Sequence, residues 1–164
     1  MLISTKAVTM TTTQARTTGL SSRTMDTYNS RPIPGMEKIC SMMIEPANSA
    51  AHPDAVEAIM QADIVVIGPG SLYTSILPNL LVSEIADALR ESNAIKIHVC
   101  NVATEKGETE GFSVDDHVRT LQKHTFPTIV DYVVTNENVV ELGPEFAGEP
   151  VAAADGSPPN VRVV

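Results

Sequence analysis

The sequence predicts an α/β fold, a Rossmann-like, doubly wound and mainly parallel sheet, on three observations. From Lys38 onward short β-branched runs alternate with stretches of helical period, and the connections between them are short. The run DIVVI at 63–67 is continuously apolar, the mark of a strand covered on both faces. Strand, helix, strand, helix, strand in that order requires crossovers, which are normally right-handed.

The elements follow in order. Residues 38–44 (KICSMMI) read as a strand. Pro53 suits a first helical turn, and Val56, Ile59 and Met60 fall at i, i+3, i+4, which predicts a helix over 53–61. After the 63–67 strand and a loop over 68–76, Leu77, Leu81, Ile85 and Leu89 recur every four residues, predicting a helix over 78–91. A strand follows at 95–100 (IKIHVC). Beyond a second loop, 101–112, Ser113 with Asp116 resembles a capping box, and Val114, Val118 and Leu121 supply the stripe of a helix ending near His124. Residues 131–135 (DYVVT) form a last strand. The acidic stretch 141–164, rich in Pro, Gly and Ala, has neither period and reads as loop or disordered. Thr-rich runs before Met36 alternate in part and suggest a hairpin turning near 18–22, so the expected organisation is a hairpin and connection over 1–36, an α/β core over 37–140 and a tail.

The 164 residues suffice for one domain with a real core, and 43% hydrophobic with 19% charged residues argues against wholesale disorder or coiled coil. With three Tyr, three Phe and no Trp, packing rests on Val, Ile, Leu, Met and Ala. A formal charge of −9 with only 11 Lys and Arg opposes nucleic-acid binding. Lys6, Arg16 and Arg23 against Asp26 leave the first 30 residues at +2, so the remainder carries −11. That acid-poor, Ser/Thr-rich opening superficially resembles a transit peptide. No apolar run approaches the ~20 residues of a membrane span. Two isolated cysteines, Cys40 and Cys100, exclude a thiolate zinc site and fit a reducing compartment, the cytoplasm by default.

In parallel sheets ligands sit beyond the carboxyl ends of strands, and both unusual loops fall there. The first, Gly68-Pro69-Gly70-Ser71-Leu72-Tyr73-Thr74-Ser75, combines glycines that let backbone N–H groups approach a ligand with hydroxyls, a composition suited to phosphate but also to a plain β–α turn. It lacks the Lys of a Walker A loop, the spacing of a dinucleotide loop and the glycines of a nucleophile elbow. In the second loop Asn101 and Thr104 could hold a hydroxyl or phosphate, and Glu105, Glu108 and Glu110 a cation or proton, or the whole is a solvated acidic connection. His117 is a candidate acid, base or substrate contact or a surface residue; Asp116 reads as a cap; His117 and His124 share a helix face without the carboxylates of a metal site. His52 and His98 stand isolated.

Taken together, DIVVIGPGSLYTSILPN (63–79), HVCNVATEKGETEGFSVDDHV (98–118) and DYVVTN (131–136) resemble the second half of the gluconeogenesis factor (YvcK) family, which belongs with the CofD-like 2-phospho-L-lactate transferases. The segment 7–44 resembles that family's hairpin insertion and following strand, a reading that replaces the transit peptide. The resemblance covers most of this chain but about half of the family's domain, whose opening strand and glycine-rich nucleotide loop have no counterpart before Met1. It implies a pocket at the strand ends, with Gly68, Pro69, Gly70, Ser71, Tyr73, Thr74, Ser75 and Asn79 on the phosphate side and Asn101, Thr104, Gly107 and Thr109 near the ligand. Glu105-Lys106 departs from the commoner Gln-Pro or Gln-Arg, which leaves contacts at those two positions open.

Three functions follow from the resemblance. The first is a non-catalytic regulator of central carbon use and cell shape that binds a UDP-sugar and has no resident cofactor or metal. The second is a phospholactyl transferase of deazaflavin coenzyme synthesis using a divalent metal, with acidic ligands from the absent half. The third is a fragment without autonomous function. The expected partners are a small nucleotide-type ligand and either further copies of the chain, as a homo-oligomer, or the missing N-terminal half; neither nucleic acid nor membrane is among them.

Overall fold

The computed structural model describes residues 6–10, 21–24, 39, 41–137, 143, 146, 148–152 and 161–164. A five-stranded parallel sheet forms its centre. Its strands are β1 (Ala7–Met10), β4 (Ile64–Ile67), β5 (Ile95–Val99), β6 (Tyr132–Val134) and β7 (Arg162–Val163), in the spatial order β1-β4-β5-β6-β7. A separate antiparallel pair joins β2 (Ser21–Thr24) to β3 (Met42–Glu45).

Among the described residues four helices accompany the sheet: α1 (Pro53–Met60), α2 (Leu77–Leu80), α3 (Ser83–Glu91) and α4 (Val114–His124). Because the strand order advances in one direction, right-handed crossovers carry α1, α3 and α4 to the same face. The burial pattern follows. Val65, Ile67, His98 and Val133 share one face by register and are fully buried, together with the helical stripes Ile85, Ala88, Leu89 and Val114, Val118, Leu121. Full burial of each such aliphatic side chain contributes roughly 1.5–3 kcal/mol. On the other face Ile64, Val66 and Ile97 are half-buried, while Ile95 and Val134 are 45% and 39% exposed. The expectation that the 63–67 strand is covered on both faces is therefore met on one only.

The capping box forms as read: the Ser113 side chain accepts from the Asp116 amide and the Asp116 carboxylate accepts from the Ser113 amide. Three other expectations change. The stretch near Ala7 is not half of a local hairpin, since β1 pairs in parallel with β4, a partner more than fifty residues away, and β2 pairs with β3. Of the expected turn near 18–22, Ser21 and Ser22 lie in β2 instead, while 18–20 and the connection 25–38 lie outside the described residues. The 38–44 strand accordingly belongs to the small antiparallel pair, not to the parallel sheet. The 141–164 tail holds β7 and, at 148–152, a segment bonded to the second loop, so those parts are neither free loop nor disordered.

The expected 78–91 helix is broken into α2 and α3 by Val82, whose extended backbone caps α3. In α1 Met60 lies on the exposed side at 46%, leaving Ile59 as the buried anchor. Among the described residues no helix is long and apolar enough to cross a membrane.

Candidate functional site

Both loops leave the carboxyl ends of adjacent strands, β4 and β5. The chain turns out of Ile67 through Gly68 at φ +92°, where a Cβ would sit 3.0 Å from the Val99 carbonyl oxygen and 3.2 Å from Ile76 Cδ1. Gly70 lies at φ +152°, with Ser75 Cβ 3.3 Å from where its own Cβ would be. Only glycine allows the turn to lie so close to the end of β5. The next residues form a single π-helical turn, Leu72–Ile76, in which the Ser71 carbonyl accepts from the Ser75 and Ile76 amides at 2.9 and 3.0 Å. Such turns are frequent at functional sites. Asn79 is buried and donates through Nδ2 to the Ser75 carbonyl at 2.6 Å, holding that turn. Tyr73 is buried edge-on to the His124 ring; Pro69 and Thr74 are exposed.

The loops are joined by side chains. The Gly70 amide donates to Asn101 Oδ1 at 3.2 Å. Asn101 Nδ2 donates to Glu105 Oε1 at 3.1 Å, and Ser71 Oγ donates to Glu105 Oε2 at 2.6 Å. Thr109 is buried and its hydroxyl accepts from the Glu105 amide at 2.9 Å. Thr104 is buried too, but its hydroxyl accepts from the Glu149 amide at 2.9 Å, and its own amide donates to the Glu149 carbonyl at 2.7 Å. Gly107, at φ +79°, presents its carbonyl to the Ile39 amide. The structure thus brings Gly70, Ser71, Asn101 and Glu105 together, and commits the polar atoms of Thr109 and Asn79 to the loops and those of Thr104 to the 148–152 segment.

Two imidazoles lie beneath. His98, 1% exposed, has Nδ1 3.0 Å from the Ile67 carbonyl; His117, equally buried, has Nδ1 2.9 Å from the Ser113 carbonyl. A carbonyl can only accept, so both nitrogens carry the proton and both Nε2 atoms, for which no partner is present, are bare acceptors. Burial, opposed by the bond to the Ile67 carbonyl and helped to a lesser degree by His117, brings the His98 pKa down to about 4. Burial also lowers His117. Both rings are neutral at pH 7, so the surface reading of His117 gives way to a buried imidazole, and His98 is a second one. The sequence signal was available: His98 occupies an inward register position of β5, and His117 lies on the same helix face as Val114, Val118 and Leu121.

Burial, and then the charge of Glu105, push the Glu108 carboxyl up; Thr74 and the Tyr73 backbone hydrogen-bond it and oppose the shift. The Glu108 carboxyl therefore lies between the two loops, near enough to Glu105 to feel its charge, with Oε2 buried and no hydrogen-bond partner for it among the described residues. Among the described residues no group of three or more His, Cys, Asp or Glu is placed to hold a metal ion. Burial pushes the Cys100 thiol up to about 12, which leaves it an unreactive core residue.

The chain is 45% identical over 109 residues to the gluconeogenesis factor of Listeria monocytogenes, a match that covers 66% of this chain and 34% of that protein. It is 43% identical over 100 residues to that of Halalkalibacterium halodurans, covering 61% and 31%. Protein BH3568 of Bacillus halodurans superimposes with a TM-score of 0.71 at 34% identity, over 77% of this chain and 43% of that one. The chain spans about a third of the length of the two gluconeogenesis factors. The family model described as 2-phospho-L-lactate transferase CofD matches residues 4–146, and with both loops and the parallel sheet in place the chain belongs to that family.

Proposed function

We propose that the protein is a cytoplasmic, non-catalytic regulator of the gluconeogenesis factor type, which binds a nucleotide sugar such as a UDP-sugar and adjusts central carbon use and cell shape. The observation that carries this reading is the link from the Gly70 amide to Asn101, which joins the glycine turn after β4 to the polar loop after β5 at one carboxyl-edge mouth. Glycine turns with open approach and hydroxyl donors suit a diphosphate, while the polar second loop suits the attached sugar. The names of the gluconeogenesis factors it resembles support the regulatory role. Calorimetric titration of the protein with UDP-N-acetylglucosamine tests it: saturable binding is expected, weakened about tenfold or more by Gly70→Val in a protein that still melts cooperatively. Absence of binding at millimolar ligand overturns the reading.

The name of the matching family model favours a second reading, a phospholactyl transferase that requires a divalent metal and acidic residues beyond these loops. Turnover of a phospholactyl donor with a deazaflavin alcohol by the purified protein supports it. Binding of the UDP-sugar without such turnover favours the regulator.

A further inference from the structure

We propose that the Glu105 carboxylate is an internal anion seated where a ligand phosphate would sit, so that Glu105 sets how tightly the site accepts an anionic ligand. This rests on the reading of the site as one for a phosphate-bearing nucleotide. Two side-chain donors converge between the loops, the Ser71 hydroxyl and the Asn101 amide, and they end on the two oxygens of one carboxylate. The Gly70 amide, which a glycine turn would offer to an anion, is spent on Asn101 Oδ1. Carboxylate and phosphate are both acceptor-only anions and compete for the same donors.

The geometry lets the seat be emptied without unfolding the loop. The Glu105 backbone is held by the Thr109 hydroxyl on its amide, a bond that does not involve the carboxylate, so the side chain can rotate away while the chain stays in place. Glu108 adds to the effect. Its carboxyl already feels the Glu105 charge, so a phosphate taking the place of the Glu105 carboxylate would face the same neighbour. An anionic ligand must displace Glu105 from Ser71 and Asn101 and then tolerate its charge nearby.

Glu105→Gln keeps an oxygen that can accept from Asn101, sets an –NH2 that can donate to the Ser71 hydroxyl, and removes the charge. Titrating UDP and inorganic pyrophosphate into wild type and variant, each with and without magnesium, gives the test. The expected result is binding about tenfold or more tighter in Glu105→Gln without magnesium, with Glu105→Asp, which keeps the charge, remaining close to wild type. Unchanged or weaker binding in Glu105→Gln, while wild type binds, overturns the proposal and leaves the nucleotide reading standing. Weaker binding of Glu105→Gln confined to the magnesium titrations also overturns it, because Glu105 would then be a cation ligand. No binding of either probe to either protein overturns both readings together. A cooperative melt of Glu105→Gln near that of wild type establishes that the comparison is between folded proteins.

Discussion

The two loops that form the mouth of the site are held in opposite ways. The loop after β4 is shaped by what its residues lack: no Cβ at Gly68 or Gly70, and a π-helical turn closed by backbone groups. The loop after β5 is shaped by what its side chains supply, with Asn101, Glu105 and Thr109 bonding within the loop or across to its neighbour and Thr104 bonding the 148–152 segment. Each rests on a buried imidazole, His98 bonding the Ile67 carbonyl at the root of the first and His117 the Ser113 carbonyl at the end of the second. The first loop is thus sterically brittle, its shape set by close backbone packing. The second tolerates changes of shape and responds to charge.

The sharpest way to break the contrast is to give the first loop a side chain. Gly68→Ala combines a left-handed backbone with a Cβ 3.0 Å from the Val99 carbonyl oxygen, a backbone contact at the end of β5 that no side-chain adjustment relieves. Backbone strain and overpacking together predict a loss of about 3–4 kcal/mol, read as a lowered midpoint in urea. The same change at Gly111 in the second loop, where φ is +71° and an added Cβ would meet nothing within 4 Å beyond its chain neighbours, carries the backbone strain alone and is expected to cost about 1–2 kcal/mol. Equal losses at the two positions would remove the distinction between the loops.

Acid comes next. Because burial holds His98 at about 4 in the folded chain against 6.5 when unfolded, the unfolded state takes up the proton first as pH falls. Stability from this ring is complete above pH 6.5 and is lost progressively down to about pH 4, a total of about 3 kcal/mol. His117 is lowered in the same direction and adds to the slope. Urea midpoints measured from pH 7.5 to 4 are expected to fall steeply in wild type and less in His98→Leu, which fills the space but does not titrate. An identical slope in the variant would place the acid sensitivity elsewhere.

What could be read from the sequence divides along the same line. The strands at 63–67 and 95–100 and the cap at Ser113 rest on local patterns, and they emerge as Ile64–Ile67, Ile95–Val99 and a closed capping box. The partner of β1 is not local: four residues of partial alternation look the same beside a hairpin partner or beside Ile64. β7 is two residues long, too short for any period to register. The periodicity through Leu77, Leu81, Ile85 and Leu89 was real, yet the extended backbone of Val82 breaks the helix that it suggested. At the site, the residue types in both loops were legible, whereas the Glu105 contacts and the burial of His98 and His117 arise only when β4, β5 and α4 are assembled.

A smaller effect separates the end of the second loop from its middle. Ser113→Ala removes the hydroxyl that accepts from the Asp116 amide at 3.3 Å and donates to its carboxylate at 2.8 Å. The loss of an N-cap of this kind is worth about 1 kcal/mol. The Ser113 amide still donates to the Asp116 carboxylate at 2.9 Å, and that bond is the largest cause holding the Asp116 carboxyl below its ordinary range. The variant is therefore expected to melt lower while Asp116 stays depressed, a pairing that carboxyl titration followed by NMR checks directly.

The smallest effect belongs to the surface one turn further along α4. Arg119 Nη2 lies 2.6 Å from Asp115 Oδ2, close enough to look important, but the Arg119 side chain is 65% exposed. Solvent screening and the entropy of fixing two long side chains leave an i, i+4 pair of this kind about 0.3–0.5 kcal/mol. Arg119→Ala should shift the urea midpoint by no more than that, and the shift should vanish in high salt, where the acid transition governed by His98 persists because its cause is burial. A salt-resistant loss of 1 kcal/mol or more would mean that Arg119 packs against the second loop through its aliphatic stem, and would make the boundary between the charged loop and the helix surface less sharp than the hydrogen bonds imply.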